Sequence, residues 1–401
     1  MIYDYDVVVI GAGPIGGYLS RKLSENDHSV LLIEEHAEIG RPFQCAGLVN
    51  PGAMSKVNLE NTALTRIWGA RLHSPSGTSI EIGDPGITRT WSVCRKLFDE
   101  QVIIQSVKSG TDLWLSSNPL SAEIKKDCVD LLISYNGTER EVRTKLLCGA
   151  DGAHSWVRRN FKMGRPKEMM IGLQIEVTGY KSEEGRLELF TGNNISPGFF
   201  SWAIPSGETT RIGVWSKPQL LGDKSCEYFL EQLMNNSPWK ERFSECKEVG
   251  RFCGPVPSGI LKKPMIERVA LFGDAAGICK PTTGGGIGPG FKQVDILVPL
   301  LTKAIIDNDL SKSKMTKMSL SLNEMKRNHR RKKALRDAFL TEVSEDELDV
   351  IFDIWSRPEV IELINEIGDI ENPIPLGMKM LKDVPEFRKY AKKAAMAILW
   401  G

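Results

Sequence analysis

The apolar positions of this chain fall into two kinds of run. Asp6–Ile10 reads DVVVI and Ser29 opens SVLLIEE, apolar stretches without alternation. Runs of that form suit strands covered on both faces of a parallel sheet. GYLSRKLSEN between them is amphipathic at helical period, so the expected order is strand, helix, strand. LLCG, ending at Gly149, and VALF, ending at Phe272, read as two further buried strands. By contrast TSIEIGD, LQIEVTG, RLELFTG and TRIGVWS alternate apolar with polar, as antiparallel strands do. Helical pattern resumes at CEYFLEQLMNN and dominates after Ile287, with a capping box at Ser344–Glu347 and Pro358 suited to a first turn. The fold class expected is α/β, α+β overall. One lobe takes 1–75, 94–165 and 250–310, an antiparallel lobe takes 76–93 and 166–249, and 311–401 forms a helical region.

The first strand runs directly into GAGPIG. In a strand–turn–helix of this kind Gly11 permits the tight turn, Gly13 lets a pyrophosphate approach the main chain, and Gly16 lets helix and strand pack. The helix start offers unpaired N–H groups to phosphate. Glu34 closes the second strand, where an acid grips a ribose hydroxyl. These features predict a Rossmann-like dinucleotide unit. A second strand–turn–helix, LLCGADGAHSWVRR, puts an Asp151–Gly152 turn before Ser155 and Arg158, and a third strand ends at Gly273–Asp274. After it the glycine-rich stretch GICKPTTGGGIGPG strips side chains from the start of a helix.

Composition narrows the classes. At 401 residues there is room for two lobes, and 41% apolar with 26% charged residues is ordinary for a globular protein. A net charge of +1 gives no overall field for nucleic acid. The eight cysteines form no CxxC pair, metal-ligand spacing or disulfide framework, so reduced thiols and no metal are expected. The opening apolar run is too short for a signal segment, and nothing reaches the about 18 apolar residues of a spanning helix. The location expected is cytoplasmic, with any membrane contact peripheral at the inner face. Lys312 to Arg336 holds ten basic residues against one acid, Glu324. That run reads either as a solvated helical face or as a surface for anionic lipid headgroups, at roughly 1 kcal/mol per charge. No recognition fold accompanies it, so nucleic acid is not expected. The closing AAMAILW is apolar enough to pack or to dip into an interface.

The succession GxGxxG, GADGxxSxVR, GDAA resembles flavoproteins of the p-hydroxybenzoate hydroxylase type. Within them, IGRPFQCAGL, WSVCRKLFDEQVIIQSVKSGTDLW and FFSWAIPSGETTRIGVW resemble segments of the geranylgeranyl reductase family, which includes archaeal digeranylgeranylglycerophospholipid reductases. The resemblance implies FAD, with Asp274 on the ribityl chain and Arg95 in contact with the cofactor. Gly284, Gly285 and Gly286 would let main chain lie flat against the isoalloxazine, with the helix from Ile287 aiming its positive end at the ring. Gly11, Gly13, Gly16, Glu34, Cys45 and Ala46 complete the implied FAD set. Two departures stand out: Ile15 in the first turn, and Lys280–Pro281 where relatives have Asp-Pro or Asn-Pro.

The implied reaction saturates C=C bonds of geranylgeranyl chains in membrane lipid precursors, by hydride from flavin N5 plus a proton. An unpolarised alkene needs a dry apolar pocket and one proton donor. Phe199, Phe200, Trp202 and Trp215 are the wall candidates, against the plain alternative of sheet core. Cys45 is the catalytic candidate because thiols are largely protonated at neutral pH, with Cys279 a rival. Either cysteine is equally readable as a small buried hydrophobe. His73, His154 and the other three histidines show no acid or Ser partner at a telling spacing. NAD(P)H or ferredoxin would supply electrons. The alternative enzyme is an FAD-dependent monooxygenase or halogenase acting on an aromatic or lipid. A quinone-linked electron-transfer flavoprotein is disfavoured by the missing four-cysteine cluster run, and a non-catalytic flavin binder is the structural alternative.

Overall fold

The computed structural model describes residues 3–42, 45–369, 373–390, 392 and 395–396. Its first sheet runs, in order, Met265–Ile266, Val269–Leu271, Thr138–Gly149, Tyr5–Ile10, Val30–Ile33, Asp112–Trp114. Tyr5–Ile10 pairs in parallel with both neighbours, Val7 opposite Leu146 on one side and Val30 on the other. Val7, Val9 and Leu32 face the helices Pro14–Ser24, Arg95–Lys108 and Ile287–Ile306. Val8, Ile10 and Leu31 face the opposite way, onto Val157, Val269 and the hairpin strand Val129–Tyr135. Both faces are covered, which is why these strands carry no polar alternation.

The second sheet has seven strands: Lys247–Ser258, Glu168–Thr178, Thr209–Ser216, Phe200–Ser206, Arg186–Thr191, Gly69–His73 and Ser79–Gly83. All pairings are antiparallel except Arg186–Thr191 with Gly69–His73, which is parallel. Leu173, Ile175, Ala203, Ile212 and Val214 pack onto Phe229, Leu230, Leu233 and Trp239. Residues of the other parity, among them Trp202, Arg211, Gly213 and Trp215, present the opposite face to the first lobe. A three-stranded sheet of Leu48–Val49, Thr90–Val93 and Ala63–Ile67 lies between, directly after the Cys45 loop.

The C-terminal helices Glu345–Trp355, Pro358–Ile367 and Ile374–Asp383 share a core of Leu348, Ile351, Val360, Ile364, Met380 and Phe387, with Ile82 from the sheet edge packed against it. They are latched to the second sheet by Asn365, which accepts from Gly83 N–H (2.8 Å), and Glu345, which accepts from Asn193 N–H (2.8 Å). Among the described residues no helix is long and apolar enough to cross a membrane. Of the closing AAMAILW only 395 and 396 are described; the rest lies outside the described residues.

Candidate functional site

The three glycine motifs converge at the C-terminal ends of the parallel strands. Gly11 has φ +99°, and a Cβ on it would lie 2.6 Å from Ala150 O; one on Gly16 would lie 1.9 Å from Gly11 O. These two glycines are required by the chain's own packing. Gly13 is different: a Cβ there meets nothing within 4 Å. No contact among the described residues requires a bare residue there. Glu34 holds the turn, accepting from Ala12 N–H (2.8 Å) through Oε2 while Oε1 lies 2.6 Å from His36 Nδ1.

Main chain stitches the motifs together. Ala150 N–H donates to Ile10 O (2.8 Å), Phe272 N–H to Gly149 O (2.8 Å), and Arg158 Nη1 to Ala275 O (2.9 Å). Ile15, the departure in the first turn, has a structural reason. A Cβ on Gly273 would come 3.1 Å from Ile15 Cγ1, and one on Gly290 would come 2.3 Å from its Cδ1. Two glycines of the third motif thus receive the Ile15 side chain. Gln293, fully buried, fixes the same turn by accepting from Gly273 N–H and donating to Leu271 O (2.9 Å each).

The stretch from Lys280 to Pro289 is half-buried, apart from the buried Pro281 and Ile287, in otherwise buried surroundings. Gly284 has φ +70°, and its Cβ would lie 3.1 Å from Trp215 Cζ3. Lys280 lies along Gly285, its Nζ 3.3 Å from where a Cβ would stand. Gly286, the residue before the helix Ile287–Ile306, abuts Asp274 Oδ1, and no side chain caps that helix. Burial holds the Asp274 carboxyl above the usual range, opposed by the Cys279 thiol, which donates to Oδ1 (3.0 Å), and by the Arg95 charge. Burial and the adjacent carboxylate push the Cys279 thiol well up.

Cys45 is half-buried, its Sγ accepting from Gly47 N–H (3.3 Å) and lying beside the Arg95 guanidinium. Arg95 is forked onto the buried Asp99 by Nε (2.9 Å) and Nη2 (2.6 Å). The structure therefore brings Cys45, Arg95, Asp274 and Cys279 together. The loop is held by a residue that motif reading passed over. Arg211, from the second sheet, donates through Nη1 to Ala46 O (3.0 Å) and Val93 O (3.1 Å). Gly47, at φ +74°, leaves room for it; a Cβ there would be 2.3 Å from Nη1. Burial lowers the Arg211 pKa from its ordinary value, opposed by Glu176. Arg211→Met should therefore cost about 3 kcal/mol in urea unfolding, two carbonyls losing a charged donor. A loss below 1 kcal/mol would show that the loop stands without it.

The wall candidates form one cluster. Phe199 meets Trp215 at 4.8 Å and 61°, Phe200 meets it at 5.6 Å and 65°, and Met170, Trp202 and Val256 complete the group. Trp202 lies across Gly213, and its Nε1 donates to Gln174 Oε1 (3.2 Å). The buried Trp215 Nε1, Thr282 Oγ1 and Thr283 Oγ1 have no hydrogen-bond partner among the described residues. The bare Gly13 and the orphaned groups at Trp215, Thr282 and Thr283 are what a long, polar-and-aromatic ligand such as FAD would need. The residues present fit that cofactor.

Histidine partners exist, but across the fold. His73 Nε2 lies 2.8 Å from Glu188 and its Nδ1 2.6 Å from Ser79, within the core on the far face of the second sheet. His329 Nε2 lies 3.1 Å from both Ser258 Oγ and Cys279 O. The basic run is likewise not one solvated face. Its helix Asn323–Arg336 buries His329 and Arg336, and Lys333 pairs with Glu168 (3.4 Å) and Asp337.

Burial pushes His329 down to about 4 from 6.5, with Arg336 and Lys332 acting in the same direction and the Cys279 carbonyl and Glu168 opposing. The unfolded chain then binds the extra proton first, so this contribution is complete above pH 6.5 and lost as pH falls toward 4. It amounts to about 3 kcal/mol. Urea titrations between those pH values should show that slope, reduced in His329→Gln; an equal slope in the variant would contradict the assignment.

Comparison with known proteins follows this geometry. An FAD binding domain family model matches residues 119–305. The digeranylgeranylglycerophospholipid reductase of Methanocaldococcus jannaschii is 28% identical over 387 residues, 95% of this chain and 98% of that one. The enzyme of the same name from Methanosarcina acetivorans is 32% identical over 323 residues, 78% of each chain. A geranylgeranyl bacteriochlorophyll reductase-like protein from Thermoplasma acidophilum shares the fold at a TM-score of 0.86 and 23% identity, over 97% of this chain and 99% of that one. With an FAD-binding domain whose cradle stands open at Gly13, and with that degree of identity over three quarters of its length, the chain belongs to the digeranylgeranylglycerophospholipid reductase family.

Proposed function

We propose that this FAD-dependent oxidoreductase saturates C=C bonds in geranylgeranyl chains of membrane lipid precursors. The observation that carries the reading is the contact of the glycine bed with the aromatic face of the second sheet, Gly284 against Trp215. Reduced FAD, when bound, supplies the hydride. The chain's own residues do the rest. Gly11, Gly13, Gly16 and Glu34 would hold the adenosine and pyrophosphate end. Asp274 and Arg95 would hold the middle of the cofactor, and Ala46, Gly285, Gly286 and Ile287 its ring end. Phe199, Phe200, Trp202 and Trp215 orient an apolar chain and exclude water, which an unpolarised alkene demands.

Cys45 holds the proton. On donating it the sulfur is left with negative charge, and Gly47 N–H and the Arg95 guanidinium are the groups beside it to receive that charge. Cys279 is the weaker donor because its proton is committed to Asp274. Sheet membership favours dividing the chain into a discontinuous cofactor lobe and a substrate lobe, the latter enlarged by Gly69–His73 and Lys247–Ser258 beyond 76–93 and 166–249, with the helical region after 311. Exposed Lys312, Lys317, Arg327 and Arg330, and a recess of about 290 Å³ lined by Asn323, Lys326, Arg327 and Arg330, suit peripheral docking on anionic lipid from the cytoplasmic side. A soluble donor, NAD(P)H or ferredoxin, reloads the cofactor.

The test is anaerobic incubation of dithionite-reduced protein with geranylgeranylglyceryl phosphate lipid. A gain of about two mass units per reduced double bond supports the reading. Oxygen-dependent hydroxylation of an aromatic acid, with the lipid untouched, would replace it by the monooxygenase alternative.

A further inference from the structure

The helix Asn323–Arg336 sends its most buried cation to Pro281, in the glycine-rich stretch. Arg336, 4% exposed, donates through Nη1 to Pro281 O (2.9 Å) and through Nη2 to both oxygens of Glu168 (3.1 and 3.0 Å). Glu168 is the first residue of a wall-sheet strand. The same guanidinium stands 5.0 Å over the Phe199 ring. Phe199 meets Trp215 edge-on at 4.8 Å, and Trp215 lies against Gly284. The contacts thus close a circuit: Arg336, Pro281, Gly284, Trp215, Phe199 and back to Arg336.

Two turns earlier on the helix a second side chain reaches the same segment. His329 Nε2 lies 3.1 Å from Cys279 O and 3.1 Å from Ser258 Oγ, the last residue of the wall-sheet strand Lys247–Ser258. Carbonyls 279 and 281 flank Lys280, whose amine lies along Gly285. The helix therefore grips the bed on either side of a cation resting on it, and through Glu168, Phe199 and Ser258 it grips the wall as well.

From this we infer that Arg336 and His329 are positioning residues that set the glycine bed against the aromatic wall, acting through main chain rather than on substrate. The inference rests on the reading of 280–287 as the flavin bed. A purely structural role would change unfolding alone; a positioning role must also appear in the bound flavin.

The experiment compares wild type, Arg336→Met, His329→Ala and His329→Gln, each loaded with FAD. Arg336→Met and His329→Ala should weaken FAD binding about tenfold, the size of one lost charge-assisted or buried hydrogen bond. They should also alter the visible circular dichroism of the bound flavin and lower kcat more than they raise KM for the lipid. His329→Gln, whose amide can hydrogen-bond at the same place, should restore most of the spectrum. Folded variants with wild-type FAD affinity and an unchanged spectrum would overturn the inference while leaving the proposed reaction standing. Wild-type protein that takes up no FAD would overturn both. If Arg336→Met does not fold, the His329 pair decides, since a Gln variant no better than Ala contradicts positioning.

Discussion

Gly13→Ala should leave the protein as stable as wild type and yet weaken FAD binding at least about tenfold. The contrast comes from two neighbouring glycines. A methyl at residue 13 meets no atom of the chain within 4 Å, whereas one at residue 16 would stand 1.9 Å from Gly11 O. Gly13 has φ −73°, which alanine adopts freely. Its substitution therefore changes unfolding by no more than about 0.5 kcal/mol, the range for sites without packing conflict. The added methyl would instead occupy the space through which, on the proposed reading, a pyrophosphate reaches the first N–H groups of Pro14–Ser24. Gly16→Ala must push helix from strand and should cost about 3 kcal/mol or more by overpacking. Differential scanning fluorimetry and flavin fluorescence titration on the two variants separate the effects. Equal FAD affinity in Gly13→Ala would mean that the bare residue serves no ligand.

The second large effect is expected at Cys45. Cys45→Ala should retain FAD, because among the described residues the thiol's hydrogen-bond partners are Gly47 N–H and Arg95, both parts of the chain itself. It should lower the rate of lipid reduction by about 10²- to 10³-fold, the usual contribution of a positioned proton donor. A solvent deuterium isotope effect present in wild type should vanish or change in the variant, since proton transfer would then come from water. A larger loss from Cys279→Ala than from Cys45→Ala would move the donor role to Cys279. Rates unchanged in both would remove thiols from the chemistry.

The parallel lobe was legible because its physics is local. Two covered faces leave no polar alternation, and steric limits at Gly11 and Gly16 leave no choice of residue. Phe200, Trp202 and Trp215 share one parity in adjoining strands, but only the family resemblance pointed to them as a substrate wall rather than sheet core. Arg211 could have been found by the same rule: in TRIGVWS it shares its parity with Gly213 and Trp215, so it had to face the first lobe. What escaped depends on distant pairing. Gly69–His73 joins the second sheet only by lying parallel to Arg186–Thr191, and His73 finds Glu188 115 residues away. The basic helix was only partly legible because a charge run says nothing of which side chains turn inward; Arg336 does so with its guanidinium donating to Pro281 O, and His329 with its ring beside Cys279 O. Ile15 looked like an intrusion until Gly273 and Gly290 appeared beside it.

The central claim is that a flavin seated on the glycine bed exchanges electrons with an alkene held by the aromatic wall. Its most direct test is anaerobic stopped-flow mixing of photoreduced FAD-loaded protein with geranylgeranyl lipid, following the oxidised flavin band. The account predicts that the band recovers on lipid addition, with one double bond saturated per flavin reoxidised. Flavin that stays reduced in the presence of lipid, and recovers only when oxygen is admitted, would contradict it.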